Sequence, residues 1–303
     1  MNHGLDTQLV AVISASLVIW GLASAKLEDA NITAPMIFIA AGLLVTHGPL
    51  AFVTIQAGSS QVRSLAEITL AVVLFGDASA VDVHKLRAQA SLPIRLLLIG
   101  LPLTVLIGTF AAYLLVPGLS IWVCAVIAAS VAPTDAALGA PVVEDHRVPA
   151  DVRRVLNVES GLNDGIVAPF VTFFLVIAVG ETVQKAPSGL HALGELALGA
   201  LIGAVVGAGG GWLLDLAQRR RWSSPAYRPL AVAALGLLAY GTAVQWHGNG
   251  FVSAFVAGIA FSTVTHSQED HSPVFEHRLG ELLSFAVWFI FGAAVVPALQ
   301  DAT

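Results

Sequence analysis

Glu159-Ser160-Gly161-Leu162-Asn163-Asp164 leads into an apolar run that continues to Gly180, and Ala132-Pro133-Thr134-Asp135 lies inside the apolar run before it. Ionisable groups at membrane depth are costly and mark functional sites by default. Three carboxylates, Asp135, Glu159 and Asp164, on two successive runs are hard to explain as packing. They point to a path for a cation or a proton.

The rest of the chain supports a membrane setting. Of its 303 residues 56% are hydrophobic and only 11% charged, with a mean hydropathy of +0.82. Soluble domains carry about 25% charged residues. Apolar runs near 20 residues recur, so the chain reads as an all-α polytopic membrane protein. A β-barrel would need short alternating segments. A formal net charge of −6 without a basic face argues against nucleic-acid binding. The single cysteine, Cys124, cannot form an intrachain disulfide and reads as a small buried apolar residue. The first four residues lack a basic start, so the first run reads as a retained span rather than a cleaved signal. No pattern calls for a cofactor.

Ten spans are expected, at 8–26, 33–47, 64–80, 92–116, 119–143, 152–180, 189–217, 228–246, 250–265 and 280–300. They form a single membrane domain. Twelve of the fourteen Lys and Arg residues fall in or beside the loops after spans one, three, five, seven and nine; only Arg63 and Lys185 lie on the other side. The positive-inside rule then makes the Arg-rich side cytoplasmic and both ends of this stretch external, in a plasma or inner membrane. Asp164 stands eleven residues beyond Arg153, about 16 Å along a helix. Asp135 stands a comparable distance from Glu144-Asp145, so the two carboxylates share a level.

The chemistry expected there is cation binding. Pro133 interrupts the fifth helix and frees carbonyls that lipid cannot satisfy. Ser160 and Asp164 are four apart and share a helix face; Glu159 and Asn163 share the adjoining one. Thr134, Asp135, Ser160 and Asp164 could supply the several oxygens that a hard monovalent cation needs. Pro169 is placed to kink the outer half of the sixth helix.

Ala-Pro-Thr-Asp at 132–135, Val148-Pro149 and Glu-Ser-Gly-Leu-Asn-Asp-Gly at 159–165 resemble the monovalent cation:proton antiporters of the bacterial NhaP and animal NHE kind. Phe75-Gly76-Asp77-Ala78-Ser79 is similar to sequences of the same broad group. The resemblance implies an inverted-repeat fold with a helix 5 broken near Pro133, working as a homodimer. It implies a scaffold at 1–80 and 225–301, an ion-carrying half at 92–180 and a linking helix at 181–224. It makes Asp164 the carboxylate that exchanges Na⁺, K⁺ or Li⁺ for a proton. Thr134, Asp135 and Ser160 complete the cation site, and Pro133, Glu159 and Asn163 are its structural partners. Two aspartates replace the Asn-Asp pair in electrogenic relatives, so Asn163 implies electroneutral exchange.

The resembled fold has thirteen helices, whereas this sequence offers ten. The helix-eleven arginine that pairs with the Glu159 equivalent has no counterpart. That raises the expectation of a partial second repeat and of an open groove exposing Asp135, Glu159 and Asp164. It also keeps a second reading in view, a dimerising but non-transporting remnant. An intramembrane aspartyl protease fits less well, since Asn163 stands where its Gly-x-Gly-Asp motif has glycine. Asp77 reads as a solvated helix end or a contributor to an acidic cation entrance. His266, Glu269, Asp270, His271, Glu276 and His277 read as a solvated loop or a pH-responsive element. Gly203, Gly207 and Gly211 recur every four residues, a close-packing pattern. The segment from Asp82 to Gln89 reads as a short basic surface helix.

Overall fold

The structure is a computed structural model that describes residues 7–30, 32–47, 59–81, 91–134, 147–182, 189–265 and 274–295. Ten helical segments are present among the described residues, the expected number. They are α1 (Thr7–Asp29), α2 (Ala34–His47), α3 (Ser60–Ala80), α4 (91–115), α5 (Ile121–Val131), α6 (Ala150–Thr182), α7 (Gly189–Arg219), α8 (Arg228–Gln245), α9 (Gly250–Val264) and α10 (274–295). Six helices are long and apolar enough to cross a membrane, while α2, α5 and α9 are shorter apolar helices. The expected surface helix at 82–89 and the loop residues His266 to His271 lie outside the described residues.

Local chemistry explains the helix ends. Ser120 caps α5 by accepting from the Val123 N–H at 3.4 Å, and Asn249 caps α9 by accepting from Val252 at 3.0 Å. Within α4, which lies where the span at 92–116 is expected, a π-turn at Leu96–Gly100 joins Ser91–Arg95 to Leu101–Leu115. Pro102 follows this turn; it has no N–H to donate and its ring crowds the carbonyl four residues earlier, which a widened turn relieves. α6 runs through Pro169 as one helix.

The chain divides into two compact units, 1–70 with 278–303, and 71–277. In the first, α2 and α10 meet around Phe38 and Phe289, both fully buried, and Phe38 stacks on Phe285 at 4.8 Å. A Cβ at Gly42 would lie 2.0 Å from the Phe289 carbonyl oxygen, and one at Gly292 would lie 2.1 Å from that of Ile39. These two glycines let the backbones touch. In the second unit, α7 lies along α9 through a glycine seam. Cβ atoms at Gly199, Gly203 and Gly207 would lie 2.3, 2.3 and 2.2 Å from the carbonyl oxygens of Asn249, Ser253 and Ala257. α3 joins this unit through Phe75, which packs with Val232, Ala257 and Phe261. Many large apolar residues of α4 face outward, such as Leu98, Phe110 and Leu115, as lipid contact requires.

Candidate functional site

α5 ends at Val131, and Ala132 closes it in a helical conformation. Pro133 and Thr134 then leave the helix axis. The break lies where the proline chemistry puts it, and the chain beyond Thr134 up to residue 146, Asp135 included, lies outside the described residues.

The departing strand of backbone is held by α6. The Asn163 amide Nδ2 donates to Thr134 Oγ1 at 2.7 Å and to the Thr134 carbonyl oxygen at 3.3 Å. The carbonyl can only accept, so that contact needs a donor, and an amide supplies one where an ionised carboxylate cannot, while the hydroxyl can also donate. Asn163 is 1% exposed. Its Oδ1 is buried with no hydrogen-bond partner among the described residues.

Asp164 follows on the next face of α6 and is half-buried. It is the fifteenth residue of a 33-residue helix, about 21 Å from its start. The apolar span of the helix runs from Leu162 to Gly180, so Asp164 lies near its start. Glu159 is also half-buried, so neither carboxylate is sealed off or laid fully open. Ser160 lies one turn before Asp164 on α6. Gly165 brings this part of α6 against α9: a Cβ there would meet the Phe255 ring at 1.9 Å. Leu162 packs with Phe255, Leu74 and Ala78 in one cluster.

That cluster brings in a residue the sequence reading undervalued. Asp77 lies close enough to Asp164 for their charges to interact. Its side chain is 23% exposed, and His277 Nδ1 stands 3.9 Å from its Oδ1, too far for a hydrogen bond. The signal was present in the helix period. Leu74, Asp77, Ala78 and Val81 share one face of α3, and its apolar members are buried. Asp77 therefore points inward with them. Acidic groups from α3 and α6, Asp77 and Asp164, thus act on one another, and Asp164 adjoins the residue that holds the end of α5, an arrangement suited to a small cation or a proton.

Comparison with known proteins gives the family. Residues 12–301 match the model of the transmembrane sodium/hydrogen exchangers. The chain belongs to the sodium/hydrogen exchanger family. It is 25% identical over 246 residues to a probable Na⁺/H⁺ antiporter of Schizosaccharomyces pombe, covering 78% of this chain and 32% of that protein. It is 26% identical over 256 residues to the K⁺/H⁺ antiporter NhaP2 of Shewanella sp. strain MR-4, covering 82% of this chain and 42% of that one. The chain thus spans less than half the length of these curated relatives. The solved structure of the sodium proton antiporter MjNhaP1 from Methanocaldococcus jannaschii at pH 8 superposes with a TM-score of 0.64 at 19% identity. It covers 95% of this chain and 70% of that chain. This chain therefore has the fold of that antiporter, and it is an integral multi-pass membrane protein of a family of secondary transporters rather than of enzymes.

Proposed function

We propose that the protein exchanges a monovalent cation, Na⁺ or else K⁺ or Li⁺, for protons across the membrane, with Asp164 binding the two in turn. The observation that carries this reading is the bond from Asn163 to Thr134. It ties the end of α5 to the helix turn that bears Asp164, and the Asn163 Oδ1 is buried with no partner among the described residues. Thr134, Asp135 and Ser160 complete the cation's oxygen shell in this proposal, while Pro133, Glu159 and Asn163 hold the backbone around it. Asp77 adds negative charge that attracts a cation to the same place. Asp135 keeps its charge as a fixed ligand in this proposal and Asp164 is the side chain that loses its proton to bind a cation, so one cation moves against one proton and the exchange is electroneutral.

Alternating access would move the segment 92–180 against a scaffold of 1–80 and 225–301 in a homodimer, with 181–224 as the link. The Arg-rich loops face the cytoplasm in this reading. The test is Asp164→Asn in proteoliposomes with an imposed pH gradient. A neutral amide can neither release the proton nor balance the cation, so cation-driven dequenching of a pH dye should fall to the protein-free background. Exchange at the parental rate by a folded Asp164→Asn protein would remove Asp164 from the mechanism.

A further inference from the structure

The turn joining α7 to α8 carries Arg219-Arg220-Arg221-Trp222. α7 closes there with a paired cap: the Trp222 N–H donates to the Ala217 carbonyl at 2.8 Å and the Arg221 N–H to that of Gln218 at 2.9 Å. In such a cap the residue in the left-handed conformation is usually glycine. Here it is Arg221, at φ 56. A chain with 28 glycines places an arginine where its backbone asks for glycine. A strained non-glycine residue that persists is a reason to look for a use of its side chain.

The neighbouring side chains are arranged as well. Arg219 is engaged with Asp215 at 2.8 Å on the last turn of α7, which already provides the cation that a helix C-terminus favours. Arg220 and Arg221 are exposed. The Arg220 guanidinium lies over the Trp222 ring, 5.0 Å from its centre, which holds the planar fork in place. Trp222 is 71% exposed and Tyr227, on the same turn, 69%. Aromatic rings of this kind settle at the headgroup level of a bilayer. Guanidinium forks match phosphate oxygens two at a time. A topology anchor needs positive charge alone; it requires neither a left-handed arginine nor a fork fixed on an aromatic face. With a formal net charge of −6, the protein as a whole is not drawn to anionic surfaces, so an attraction would be local to this turn.

We propose that the α7–α8 turn is a binding site for the headgroup of an anionic phospholipid, its phosphodiester gripped by Arg220 and Arg221 and its acyl boundary met by Trp222 and Tyr227. The inference uses the membrane setting of the chain and is independent of the transport reading. Each basic residue near an anionic lipid surface contributes about fivefold in affinity.

The experiment compares purified parental protein with Arg220→Gln and Arg221→Gly in detergent. Phosphatidylglycerol and phosphatidylcholine are titrated in, and retained lipid is read by native mass spectrometry alongside the thermal midpoint. The parental protein should retain phosphatidylglycerol in preference to phosphatidylcholine. Arg220→Gln should weaken that retention about fivefold at an unchanged midpoint. Arg221→Gly should weaken it similarly while its midpoint without lipid stays level or rises, because glycine relieves the left-handed strain. Unchanged phosphatidylglycerol retention by Arg220→Gln would overturn the proposal and leave the arginines as topology anchors. Displacement of the lipid by millimolar inorganic phosphate would overturn it equally, since the turn would then be a general anion site.

Discussion

Asn163 is the residue on which the site depends most visibly. Its amide faces two acceptors on Thr134, at 2.7 and 3.3 Å, so the side chain is chosen for its donors. Asn163→Asp removes the donor that meets the Thr134 carbonyl and leaves only the Thr134 hydroxyl to pair with a buried carboxylate. The expected cost is about 1–3 kcal/mol, the penalty for a buried polar group that loses its partner. Asn163→Ala should cost less, because the orphaned Oδ1 leaves together with the donors. Thermal unfolding of the two variants checks the order. An Asn163→Asp protein as stable as the parent would show that the amide is not what holds the broken helix. The same residue bears on charge transport. With an amide beside Asp164, a cycle carries one exchangeable proton, and the exchange rate in proteoliposomes should not respond to an imposed membrane potential at a fixed pH gradient. Acceleration by voltage would point to a second titrating group, and Asp77 would be the first to substitute.

Among the helices, the α7–α9 seam makes the sharpest forecast. Gly203→Val places its Cβ 2.3 Å from the Ser253 carbonyl oxygen, a backbone atom that cannot swing aside. The helices must separate, and overpacking of this kind costs about 1–3 kcal/mol. Gly209→Ala, on the same helix with nothing within 4 Å of the new Cβ, should be neutral or stabilising by up to about 1 kcal/mol through helix propensity. Equal thermal midpoints for the two variants would refute the seam. Glycine spacing revealed that α7 packs closely, but not against which helix, because a period describes one helix and the partner depends on tertiary arrangement. Hydropathy located the spans well: α6 was expected over 152–180 and runs Ala150–Thr182. It could not register the π-turn of α4, which is equally apolar; only Pro102 hinted at it. The inward position of Asp77 was not legible for a related reason. Read along the chain it sits at the end of a helix, and only its position around the helix, in line with Leu74, Ala78 and Val81, turns it toward Asp164.

For the molecule as a whole, orientation is the property most exposed to refutation, because it rests on charge alone. Every proposed route for the ion takes its direction from which face carries the arginines. Twelve of fourteen basic residues on one side is a strong asymmetry. Moving those groups through the bilayer core would cost several kcal/mol for each, so the chain inserts with them retained. The ends of α4 and α7 supply opposite reporters. Gly118, in the turn between α4 and α5, has a positive φ of 95 and open space around it, so it is a reachable position for a probe. Ser224 precedes the short helical turn that starts α8 and is exposed beside the triple arginine. Cys124→Ser removes the single native thiol; that thiol is buried, so a serine of similar size should be tolerated. In that background a cysteine at 118 should react with an impermeant maleimide added to intact cells. A cysteine at 224 should react only after the membrane is opened. A residue with a Cβ is disfavoured at that φ, so expression of Gly118→Cys is compared with that of the parent. If 224 labels from outside and 118 does not, the arginines face outward and the α7–α8 turn would meet the other leaflet.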